Sequence, residues 1–151
     1  LLEVNDLEPG AVLDVGCGCN GFRGKIDNLI GIDPYNNLAD IEVGTLEYRA
    51  DQKFDVILCL GSVNFGNREK IIAEVGRCVS LLADGGTMFF RVNPGVQHDK
   101  PEAHWIEFFG WNVPFIIELS NMFNLDILDI RDDTNQRKYF IFRKKMTNLE
   151  K

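Results

Sequence analysis

Ala11-Val12-Leu13-Asp14-Val15-Gly16-Cys17-Gly18-Cys19-Asn20-Gly21 begins as an apolar run and ends in a glycine-rich turn. Val12, Leu13 and Val15 read as a strand of a parallel sheet, because such strands are covered on both faces and lose the polar alternation. Gly16, Gly18 and Gly21 let the backbone turn sharply and approach a ligand, since no side chain stands in the way. A second apolar strand, Leu29-Ile30-Gly31-Ile32, ends in Asp33. A glycine turn after one strand and a carboxylate at the tip of the next suit a nucleoside. One ionised acid can accept hydrogen bonds from both ribose hydroxyls.

The spacing also fits G-x-G-x-x-G, a weak dinucleotide signal by itself. Asp14 sits inside the strand, where dinucleotide folds carry an apolar residue, and the gap from Gly16 to Asp33 is shorter than the roughly 20 residues expected between loop and acid. Both features argue against a nicotinamide cofactor and an oxidoreductase.

Val12-Leu13-Asp14-Val15-Gly16-Cys17-Gly18, followed by Gly31-Ile32-Asp33-Pro34, resembles motifs I and II of the class I S-adenosylmethionine-dependent methyltransferases. Phe54-Asp55-Val56-Ile57 is similar to the family's motif IV. The resemblance covers nearly the whole chain and implies S-adenosyl-L-methionine as cofactor. It implies that Asp14 orients the loop and the cofactor's amino-acid end, with Gly16, Cys17 and Gly18 around the methionine portion. Asp33 would hold the ribose with Pro34 beside it, and Thr45, Leu46, Leu60 and Gly61 would border the adenine and the sulfur.

The implied architecture is α/β. It is a three-layer, doubly wound sheet of about seven strands, mostly parallel with an antiparallel C-terminal strand. Strands are expected over Ile41–Gly44, Phe54–Gly61, Thr87–Val92, Leu125–Ile130 and Lys138–Phe142. Asn67 is expected to cap a helix whose core stripe is Ile71, Ile72, Val75, Val79 and Leu82, with Gly85-Gly86 ending it. A second helix is expected from Trp105 towards Phe123, kinked or split near Pro114. Two departures from the family pattern stand out. Phe22 to Asn28, with Gly24 inside, leaves little room for the first crossover helix, so a short or irregular crossover and a more open pocket are expected. The loop Gly44-Thr45-Leu46-Glu47 has no acid at the strand tip to meet the adenine amino group, with Glu47 as a candidate substitute.

The 151 residues read as one domain, 1–151, and the lack of an initial Met leaves truncation at the start open. A hydrophobic content of 45% fits a globular chain, and a net charge of −7 weighs against a broad nucleic-acid footprint. Cys17, Cys19, Cys59 and Cys78 have no C-x-x-C pairing or zinc spacing and read as free thiols of a cytoplasmic protein. No metal, membrane span or signal peptide is expected.

The acceptor is a small molecule or a protein side chain on this reading. The chain has Leu60-Gly61-Ser62-Val63 where amino-group DNA methylases carry [DNS]-P-P-[YFW], and it lacks the Pro-Cys of cytosine carbon methylation. His98 and His104, near Asp99 and Glu102, are candidates for binding the acceptor or accepting its proton, against the plainer reading of a polar surface loop. Arg131, Arg137, Lys138, Arg143, Lys144 and Lys145 make a basic hairpin, ordinarily a solvated sheet edge. A non-catalytic scaffold of the same fold is the main alternative.

Overall fold

The computed structural model describes residues 2–63, 66–92, 109–132 and 137–146. A short helix, α1 (Leu2–Asp6), leads to β1 (Val12–Val15), which pairs in parallel with β2 (Leu29–Ile32) and with β3 (Phe54–Cys59). Helix α2 (Arg68–Leu81) precedes β4 (Leu82–Val92), which is parallel to β3. Helix α3 (Val113–Met122) is followed by β5 (Leu125–Asp132) and β6 (Lys138–Lys144). The sheet order is β2-β1-β3-β4-β6-β5, and β6 alone runs against the rest, antiparallel to both β4 and β5.

Successive strand residues point to opposite faces, and the core divides accordingly. Leu13, Val15, Ile57, Cys59, Met88, Phe90, Phe140 and Phe142 pack with Ile71, Val75 and Cys78 of α2 and with Phe115, Ile116 and Leu119 of α3. Val12, Val56, Leu58 and Phe89 form a smaller cluster with Val4 of α1 and Ile26 of the crossover. Trp111 is buried against Phe90, Phe115 and Phe140, and its indole N–H donates to the Val63 carbonyl at 3.0 Å. Phe109 packs on the same cluster, so both are core aromatics. Cys59 and Cys78 are buried free thiols.

The crossover between β1 and β2 is built of turns, as its glycine and its length predict. Asn20 N–H donates to the Cys17 carbonyl, Arg23 N–H to Asn20, and Lys25 and Ile26 N–H to Phe22. Polar side chains fasten these turns. Asn20 Nδ2 donates to the Leu38 carbonyl and to Asp40 Oδ2, both at 3.2 Å, and Asp40 Oδ2 also accepts from Gly31 N–H at 2.8 Å. Arg23 forms an ion pair with Asp40.

Three expectations are corrected. Ile41–Gly44 contributes only one parallel bridge, Ile32 to Ile41, so the described sheet has six strands. Its backbone instead turns back early, with Asp40 and Ile41 N–H both bonded to the Gly31 carbonyl. Gly85-Gly86 does not end α2. The helix stops at Leu81, and Leu82 is already extended and pairs with Phe54. Ala83 to Gly86 then bulge out before Thr87 pairs with Val56. Pro114 does not kink a long helix. It lies in the first turn of α3, where its missing N–H would have no partner, and Asn112 caps that turn by accepting from Phe115 N–H at 2.9 Å.

Candidate functional site

The carboxyl ends of β1, β2 and β3 open on one cavity of about 440 Å³. Open α/β sheets bind ligands at this edge. Its walls are Gly16, then Asp33-Pro34-Tyr35, then Val43 to Glu47, then Gly61-Ser62, with Lys70 and Glu74 from α2. Gly16 has φ +70°, and a Cβ there would collide with Ser62, whose hydroxyl donates to the Val15 carbonyl at 2.8 Å. Glycine is therefore required both by conformation and by space. Gly18 also has a positive φ, of +58°, but a Cβ there would meet open space.

Asp33 is held in place by two backbone donors. Gly18 N–H reaches Oδ2 at 3.0 Å, and Tyr35 N–H reaches Oδ1 at 2.8 Å. Each oxygen keeps a lone pair for a further donor. Asp14 lies beneath this loop, 5% exposed, and its carboxyl is pushed up to about 7, first by burial and then by the Asp33 charge. The Cys17 thiol is pushed up to about 11 by burial, Asp14 and Asp33, so it stays protonated and is no nucleophile at neutral pH.

Asp33, Pro34, Gly16, Thr45, Leu46 and Gly61 thus share the cavity wall. Gly18 supports that wall through its N–H to Asp33, and Asp14 and Cys17 lie near enough to feel the Asp33 charge, but none of the three is among the lining residues. Leu60 is not brought there. It lines a small apolar pocket on the other face with Val4, Phe22 and Phe89, because it shares the strand parity of Val56 and Leu58. His98 and His104, with Asp99 and Glu102, lie outside the described residues. Tyr35 and Ser62, which flank the expected site residues in sequence, join the wall, and Lys70 and Glu74, which the sequence does not mark, stand one helical turn apart on the side of α2 that faces the cavity.

Four of the hairpin's six cations are paired within it among the described residues, and Lys144 Nζ donates to the Val79 and Leu82 carbonyls. Arg143 and Lys145 pair with Asp126, Lys138 with Asp132, and Arg131 with Asp129. Among the described residues no helix is long and apolar enough to cross a membrane.

No protein-family model matches the chain, and no curated protein matches it. Solved structures do. The N-methyltransferase NodS from Bradyrhizobium japonicum, in complex with S-adenosyl-L-homocysteine, is 16% identical with TM-score 0.66, over 90% of this chain and 78% of that one. The 1,6-didemethyltoxoflavin-N1-methyltransferase of Burkholderia thailandensis is 15% identical with TM-score 0.70, over 91% and 72%. The [4+2]-cyclase SpnF is 14% identical with TM-score 0.66, over 91% and 75%. The chain has the Rossmann-like fold of the class I S-adenosylmethionine-dependent methyltransferases.

Proposed function

We propose that this chain is an S-adenosyl-L-methionine-dependent methyltransferase. The observation that carries the reading is Asp33, fixed by the Gly18 and Tyr35 amides in the wall of the cavity at the sheet's carboxyl edge. The donor set fits the cofactor. Two carboxyls at the β1 and β2 ends suit a ligand that carries cationic groups and a ribose. NodS and the 1,6-didemethyltoxoflavin-N1-methyltransferase were both crystallised with S-adenosylhomocysteine.

The bound cofactor supplies a methyl group on a good, neutral leaving group. The protein then has chiefly to align the acceptor and exclude competitors. Asp33 with Pro34 holds the ribose, Thr45 and Leu46 flank the base, and Asp14 steadies the glycine loop beneath the amino-acid end. Leu60, on the other face, acts only by placing Gly61. The acceptor is a small molecule, with an exposed protein side chain as the second choice. The net charge of −7 gives nucleic acid little to hold, and the cations of the C-terminal hairpin are in part taken up by Asp126, Asp129 and Asp132. The loop carrying His98 and His104 is assigned to the acceptor side. One domain over 1–151 and a cytoplasmic location complete the reading.

The test is calorimetric titration with S-adenosylmethionine, S-adenosylhomocysteine and NAD. Micromolar binding of the first two and none of NAD is expected. Binding of NAD alone would favour an oxidoreductase. The fold of SpnF, a cyclase by name, favours one second reading, a domain that binds the cofactor without transferring its methyl group. That reading predicts the same titration with no turnover across an acceptor screen.

A further inference from the structure

Helix α2 buries Ile71, Glu74, Val75, Cys78 and Val79, and Glu74 is the one carboxylate in that stripe. The residue is 9% exposed, and its Oε1 accepts no hydrogen bond among the described residues. Burial pushes the Glu74 carboxyl up, and Lys70 Nζ, an ion-pair partner one turn back on the same helix and 3.6 Å away, holds it down against that effect. A buried carboxylate in this state is costly unless something donates to it. Glu74 lines the cavity, so a ligand there can supply the donor.

The side of the cavity is fixed by a neighbour. Arg77, three residues on, donates to the Leu46 carbonyl at 3.1 Å, so this stripe of α2 closes against the loop assigned to the base. Glu47, in that loop, is near enough for its charge to raise the Glu74 carboxyl further, after burial and against Lys70. Glu47 itself folds back on Gly44, where a Cβ would collide with its carboxylate. Glu47 lines the same cavity but is exposed, so solvent can satisfy its carboxylate, an option the buried Glu74 lacks.

We infer that Glu74 accepts the hydrogen bond of the adenine 6-amino group, doing from α2 what the missing strand-tip acid would do. The inference rests on the cofactor reading above. It makes Glu74 a specificity residue. A 6-oxo base would turn a carbonyl oxygen towards the carboxylate, and two acceptors would face each other.

The test compares S-adenosylhomocysteine with its hypoxanthine counterpart, in which oxygen replaces the amino group, by calorimetry on the whole chain. The unaltered protein is expected to prefer the adenine form by about tenfold or more. Glu74→Gln, whose amide can donate to the 6-oxo group, is expected to bring the two ligands within about threefold of each other while melting near the parent temperature. Retention of the full preference in Glu74→Gln, or its absence in the parent, overturns the inference while leaving the cofactor assignment standing. Binding of neither ligand by the parent overturns the cofactor reading itself. Should Glu74→Gln fail to fold, Glu47→Gln decides. A preference kept there supports Glu74, and a preference lost assigns the role to Glu47.

Discussion

On one face of the sheet Phe90 stacks on Phe140 with ring centres 4.7 Å apart, and two helices cover them. On the other face the cover is α1 and a run of turns, tied by amides and carboxylates. Asn5 of α1 joins the same network, donating to the Lys25 carbonyl and accepting from Asp27 N–H, both at 3.0 Å. The first face is stabilised by apolar area, which is non-directional and tolerates the loss of a polar contact. The second has little area and depends on bonds whose geometry must be right. The loop that supports the cavity belongs to this second face, since Asn20 follows directly on the glycine turn and anchors it to Asp40. Ligand affinity should therefore respond more to the polar ties than to the aromatic core.

The largest effect separates the faces by stability. Phe90 is fully buried, and Phe90→Ala is expected to lose about 3–5 kcal/mol in urea unfolding. Asn20→Ala removes two hydrogen bonds and a residue suited to φ +63°, and is expected to lose about 1–3 kcal/mol. It should also weaken cofactor binding. An Asn20 loss equal to the Phe90 loss, with affinity untouched, would break the distinction between the faces.

Next comes pH. The Asp14 carboxyl rises from the ordinary 3.8 to about 7 in the fold. Between those values the native state holds a proton that the unfolded chain has released. The stability it contributes is present at acid pH and is lost as pH rises through about 7. Asp14→Asn should flatten that slope in melting curves taken across the range. A cationic ligand beside Asp14 favours its ionised form, so binding near neutrality should release protons, measurable by titration in buffers of different ionisation enthalpy. The smallest effect is expected at the exposed hairpin, where Arg143→Ala should change stability by less than about 1 kcal/mol. A larger loss there would show that polar ties matter equally across the molecule.

The strands that carry the cavity were legible because Val12, Leu13 and Val15 in β1, Leu29 to Ile32 in β2 and Val56 to Cys59 in β3 are mainly apolar, and the glycine turn and Asp33 mark its wall. The irregular crossover was legible too, from Gly24 and the short span. The Asn20–Asp40 tie was not, since two polar residues far apart in sequence leave no periodic signal. Glu74 was hidden for a related reason, because a search for an apolar stripe passes over the acid within it. Pro114 was open to two readings, a kink or a first turn, and Asn112 two residues earlier was the cue to the second. The place of Leu60 is written in the alternation from Val56 through Leu58, which puts it on the face away from the cavity.

The most direct measurement is a titration of the parent and Asp33→Ala with S-adenosylhomocysteine, side by side. The parent should bind, and the variant should melt like the parent yet lose about 1.5–3 kcal/mol of affinity, the worth of charged hydrogen bonds to the ribose. Equal affinity in the two proteins would contradict the assignment of Asp33, and with it the reading of the cavity as the cofactor site.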